Sequence, residues 1–125
     1  MRKQYHFRRS GEDTLIWDVD RLVKLSIGLP RITIQVDSVR ELDEAYWSGA
    51  GQEPMTCREV VGHARLMNEA DFCHPIILSA DGRVMDGMHR VAKASLEGRA
   101  QIEAVQFDED PEPDFMNLEP SELAY

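Results

Sequence analysis

Pro75-Ile76-Ile77-Leu78-Ser79-Ala80-Asp81-Gly82-Arg83-Val84-Met85-Asp86-Gly87-Met88-His89-Arg90 is the stretch on which the reading of the fold turns. His74 to Leu78 is a short apolar run that reads as a buried strand, and Asp81-Gly82 supplies the positive dihedrals of a tight hairpin turn. Arg83-Val84-Met85 is then the returning strand. A helix follows at once, from Asp86 as its cap to Glu97, with Gly98 beyond. Met88, Val91, Ala92, Ser95 and Leu96 form its core stripe, and Ala92 and Ser95 are small enough for close packing on a sheet. His89, Arg90 and Lys93 fall off that stripe. They occupy the first two turns, where unpaired N–H groups and the positive end of the helix dipole favour an anion. Gly87, without a side chain, lets a ligand approach the backbone. The plainer alternative is that Asp86 only caps, His89 is a partly buried imidazole, and Arg90 and Lys93 pair with acids such as Glu97.

Working outward, two segments carry a Ser or Thr followed three residues later by Glu, the reciprocal chemistry that starts a helix. After Ser38-Val39-Arg40-Glu41, Val39, Leu42 and Tyr46 share a face. After Thr56-Cys57-Arg58-Glu59, Cys57, Val60, Val61, Ala64 and Met67 do so, and both segments read as core-facing helices. An earlier helix is capped by Asp18, runs through Val19, Leu22, Val23 and Ser26, and stops at Gly28 and Pro30. Thr14–Trp17, Arg31–Val36 and Gln101–Phe107 read as strands; alternation slips at Ala104 and Val105, which predicts a bulge or burial on both faces. The order of elements is that of a small α+β domain, a mixed sheet with helices packed against it.

With 125 residues and 42% hydrophobic content the chain suits one domain, over residues 11–108. Residues 1–10 read as a basic extension and 109–125 as an acidic, Pro-containing tail, with Phe115, Met116 and Leu118 as a docking patch or simply disordered. No apolar run suggests a membrane span, and the basic start lacks the apolar middle of a secretory signal, so the expected compartment is the cytoplasm. There Cys57 and Cys73 are expected as buried thiols. A formal charge of −9 argues against direct DNA binding, which draws its affinity from cations on phosphates.

The run Val84-Met85-Asp86-Gly87-Met88-His89-Arg90, followed by Ala92 and Ala94 and preceded by Pro75–Leu78 and the Asp81-Gly82 hairpin, resembles the signature of the ParB/sulfiredoxin superfamily, nearest its free-serine-kinase-like branch. The resemblance covers about a fifth of the chain strongly. It implies a helix start that binds nucleotide phosphates, with Gly87, His89 and Arg90 at the phosphates and Asp86 as cap or metal-side carboxylate. ATP, ADP or CTP with Mg2+ is the implied cofactor set. Met88 stands where sulfiredoxins carry their reactive Cys, so sulfinic-acid repair is not carried over. Nor is centromere binding, because an acidic stretch follows where a full ParB adds its helical DNA-binding domain.

Phosphotransfer or nucleotide hydrolysis by a small-molecule kinase or nucleotidase would need a carboxylate to orient the acceptor. Asp86, Glu41 and Asp43 are the candidates, although Asp37, Glu41, Asp43 and Glu44 read more simply as a solvated helix face with Glu41 capping. His63, at the edge of its apolar stripe, either reaches the ligand or is a core-edge histidine. Met88 and Lys93 complete the ligand-side set. His63, Cys73, His74 and Cys57 lack zinc spacing, and Gly49-Ala50-Gly51 lacks the strand and Lys of a Walker loop. The alternative is a non-catalytic protein-interaction or regulatory module on the same fold, with a protein partner or a second copy of itself.

Overall fold

Ala104 and Val105 are adjacent and both buried, which an alternating strand permits only where both faces of the sheet are covered. A computed structural model, describing residues 3–48 and 54–125, shows how. In chain order the elements are β1 (Tyr5–Ser10), β2 (Asp13–Asp18), α1 (Val19–Ser26), β3 (Ile32–Gln35), α2 (Cys57–Glu69), β4 (Ile76–Leu78), β5 (Val84–Asp86), α3 (Met88–Leu96), β6 (Gln101–Gln106) and β7 (Phe115–Met116). The main sheet has the order β3-β6-β4-β5, with β4 and β6 parallel and the other pairs antiparallel. On one face Ile76, Leu78, Val84, Ile102 and Ala104 meet Met88, Val91 and Ala94 of α3 together with Val36 and Val39. On the other, Ile77, Met85 and Val105 meet Trp17, Leu22 and Phe107. The chain is a small α+β domain with a mixed sheet, as its order of elements predicts.

A second sheet, β1-β2-β7, supplies Trp17 to that second face. Residues 5–10, expected as an extension, are therefore an edge strand, in register with β2 from Tyr5 opposite Asp18 to Ser10 opposite Asp13. The acidic stretch also differs from the expected tail. The Asp110 carboxylate accepts from the Ala80 N–H at 2.8 Å and pairs with Arg8 at 2.8 Å. Asp114 accepts from the Asp18 N–H and pairs with Arg21, while the Trp17 Nε1–H donates to the Pro111 carbonyl. Each of these acids has its own donor, which offsets ordering entropy that composition alone leaves uncompensated. His6 is buried beside Trp17, and burial, with Arg8 adding to it, pushes its imidazole down to about 4. The docking-patch residues Phe115 and Met116 form β7.

Local signals were overruled in four places. The helix expected after Ser38 is instead two 3-10 turns, Val36–Ser38 and Arg40–Asp43, with Val39 extended between them. Ser38 Oγ donates back to the Gln35 carbonyl, and Glu41 turns into the core, where its carboxylate accepts from the Val84 N–H at 2.6 Å. α2 has the expected capping box at Thr56 and Glu59 but buries no residue, and Val60 and Val61 are 54% and 58% exposed. In the hairpin only Gly82 has a positive φ. Ser79 N–H to Arg83 carbonyl and Gly82 N–H to Ser79 carbonyl bonds make it a three-residue loop with a bulge. Finally, the core stripe of α3 is Met88, Val91 and Ala94, at a spacing of three; Ala92 is only half-buried, and Ser95 and Leu96, in the last turn, are exposed. Cys57 and Cys73 are exposed rather than buried.

The expectation for Gly49-Ala50-Gly51 lies outside the described residues. Among the described residues, no helix is long and apolar enough to cross a membrane.

Candidate functional site

Strand β5 runs into α3 through a single residue. Gly87, not Asp86, occupies the N-cap, at φ 107° and ψ 19°, a left-handed conformation that strains any side chain. Space enforces the same choice: a Cβ there would sit 2.7 Å from Ile76 Cγ2 and 2.8 Å from Arg90 Nη2. The sequence predicted that Gly87 admits a ligand; its observed neighbours are Ile76 and Arg90. Because glycine has no side chain, the N-cap residue itself cannot supply a capping hydrogen bond to the start of α3. The first intrahelical bonds run from Arg90 N–H and Val91 N–H to the Gly87 carbonyl, so the amides of Met88 and His89 precede the ladder, at the positive end of the dipole.

Asp86, expected as the cap, is the last residue of β5, and its carboxylate pairs with Arg90 one helical turn on, at 3.0 Å. Both side chains are largely buried, at 16% and 14% exposed. Arg90 also donates to the His74 carbonyl at 3.3 Å, so the guanidinium ties α3 to the entry of β4. Lys93 is turned away from the helix start: its ammonium donates to the Ala70 carbonyl at 2.8 Å and the Asn68 carbonyl at 3.3 Å, capping the C-terminus of α2. Met88 is core. Of the carboxylate candidates, Glu41 is 4% exposed, and one of its oxygens, Oε1, has no hydrogen-bond partner among the described residues. Asp43 is exposed, and Glu44 pairs with Arg83.

His63 and His89 come together from two helices, 26 residues apart in sequence, with His63 Nδ1 2.8 Å from His89 Nε2. Their ring planes differ by only 20° and their centroids lie 5.1 Å apart, which is what two ring radii and one hydrogen bond add up to. The imidazoles therefore meet edge to edge in nearly one plane. Trp47 lies flat across both, with centroids at 4.3 Å and 4.8 Å and interplanar angles of 18° and 14°.

This layer borders a cleft of about 850 Å³. Ile77, Met85 and Val19 give it an apolar floor, Lys24 and Asp20 stand on the α1 side, and Asp86, Gly87, His89 and Arg90 line the α3 side. Tyr46 lies on the same wall; burial, with the nearby charges of Glu41 and Asp86, pushes its phenol up to about 12, so it stays protonated as a donor. Asp71, also on the rim, is held below the usual carboxylate range by the Cys73 amide and thiol, and that hydrogen bond raises the Cys73 thiol. Of the predicted set, Asp86, Gly87, Met88, His89 and Arg90 line the cleft; Glu41, Asp43, His63 and Lys93 do not. Trp47, Tyr46 and Lys24 were missed. The adjacent aromatics Tyr46-Trp47, in an otherwise acidic stretch, were the available signal.

Among the described residues, no group of three or more His, Cys, Asp or Glu is arranged to hold a metal ion. Comparison with protein-family models, with curated proteins and with solved structures finds no match for this chain.

Proposed function

We propose that the chain binds an anionic ligand, a nucleotide or another phosphorylated small molecule, with its phosphate at the first turn of α3. The observation that carries this reading is the glycine N-cap of α3 opening on an 850 Å³ cleft with His89 and Arg90 beside it. The resemblance of Val84–Arg90 to the ParB/sulfiredoxin signature supports the same end of the cleft, and the size suits ATP, ADP or CTP.

The division of labour differs from the simple expectation. The Met88 and His89 amides are the phosphate donors, and His89 adds a ring N–H or a charge. Arg90 is committed to Asp86 and the His74 carbonyl, so it supports the junction and adds positive potential rather than a dedicated fork. Asp86, the carboxylate at the helix start, is already paired with Arg90, so in this reading Mg2+ arrives on the phosphates. For phosphotransfer, Asp86 is the one predicted carboxylate bordering the cleft. Glu41 is spent on Val84 and Asp43 does not line the cleft.

A non-catalytic interaction module is the second reading, favoured by the uncovered Val60 and Val61 on α2. A thermal-shift screen of ATP, ADP, CTP and sulfate, with and without magnesium, tests binding, since a ligand of the folded state raises apparent stability with its affinity. Stabilisation that weakens in His89→Ala supports the first reading. No stabilisation by any anion would rule it out, and binding without turnover across small hydroxyl acceptors would leave binding alone.

A further inference from the structure

Two imidazole nitrogens 2.8 Å apart contain one proton, not two and not none. In the neutral pair one ring must donate and the other accept. Adding one proton converts the contact into an imidazolium–imidazole bond, which is charge-assisted and stronger than its neutral parent. The indole of Trp47, face-on to both rings, stabilises that cation further. A second proton has the opposite effect: it sets two N–H donors and two positive charges against each other. The first protonation is favoured and the second is resisted, which is the condition for two sites to titrate as one.

We propose that His63 and His89 form a shared-proton dyad that takes up a single charge and thereby gates the affinity of the α3 start for anions. The gating half rests on the anion site proposed above; the dyad itself rests only on the ring geometry. Among the described residues, the charged groups around the dyad are engaged elsewhere. Asp86 and Arg90, from β5 and α3, neutralise each other. Tyr46 contributes an un-ionised phenol, and Glu59, one turn before His63 on α2, is occupied in the capping box with Thr56. Glu41 bonds the Val84 amide, Lys93 is held by α2 carbonyls, and Asp71 and His74 line the cleft further on. Because His89 carries one of the two amides that precede the helical ladder, the charge it shares lies beside the bound anion, and protonation and anion binding promote each other by linkage.

The experiment is a long-range 1H–15N NMR titration of the histidine-labelled full chain between about pH 5 and 9, in wild type and His63→Phe. Phenylalanine keeps a ring beneath Trp47 and removes the shared nitrogen, and α2 has no buried position that the change would empty. The expected result is that both rings respond in the same two steps, with apparent midpoints more than about 1 pH unit apart, and that His63→Phe reduces His89 to a single step. Independent single-step curves in wild type, or an unchanged His89 curve in His63→Phe, would overturn the dyad. Sulfate, whose charge is constant over this range, is then titrated on either side of the first midpoint. Several-fold tighter binding on the acid side, lost in His63→Phe, is expected. Equal binding on both sides overturns the gating. Absence of sulfate binding at any pH overturns the anion site and its gating, while two-step titration would still establish the dyad.

Discussion

α2 and α3 lie side by side, and the one with the better helix signals is the less essential to the fold. α2 has a complete capping box and a clear apolar stripe, yet it buries no residue and is held through one edge, where His63, Leu66 and Met67 are half-buried. α3 starts from a glycine N-cap that offers no capping side chain, yet Met88, Val91 and Ala94 lie in the main core. Local chemistry decides whether a segment is helical; it does not decide what the helix rests on. The glycine N-cap of α3 becomes intelligible if that end serves a ligand, because a capping side chain would occupy the donors an anion needs.

The contrast can be broken most sharply at Gly87. Gly87→Ala forces a side chain into a left-handed position and against Ile76, and should cost on the order of 3–5 kcal/mol in denaturant unfolding, or prevent folding. A loss under about 1 kcal/mol would mean the junction relaxes easily. Val91→Ala comes next: it removes fully buried methyl groups and should cost about 1–3 kcal/mol. Lys93→Met takes the ammonium from the carbonyls at the end of α2. Global stability should fall by about 0.5–1 kcal/mol, and hydrogen exchange in the last turn of α2 should accelerate while α3 amides stay protected. The smallest effect is expected for Val60→Ala, within about 0.5 kcal/mol. If Val60→Ala instead matches Val91→Ala, something covers α2 in solution and the two helices are not the unequal pair described.

The main sheet was legible because Ile76-Ile77-Leu78 and Gln101–Phe107 signal strands by apolar content, and their two-sided burial showed in the slip at Ala104 and Val105. β1 was missed because Arg8 and Arg9 make the segment look solvent-bound. Arg8 in fact lies over the Trp17 ring, with its charge on Asp110, a partner 102 residues away. The same long-range pairing hid the ordered acidic stretch. At the site, spacing alone placed His89 off the core stripe and flagged His63 at an edge, but nothing local says that the two imidazoles meet under Trp47. Arg90 illustrates the limit from the other side: Asp86 four residues earlier is a visible helical-row partner, whereas the sequence reading offered the cation a ligand or acids such as Glu97.

Whether the open end of α3 is an anion site is most directly tested by amide NMR of the wild-type chain titrated with ATP and, separately, with sulfate. The account predicts that both ligands shift the Met88 and His89 amides most, with Gly87 close behind, and that ATP alone extends the shifts to Ile77, Met85 and Val19 on the cleft floor. Saturating ligand that leaves Met88 and His89 unmoved while other amides respond would contradict it.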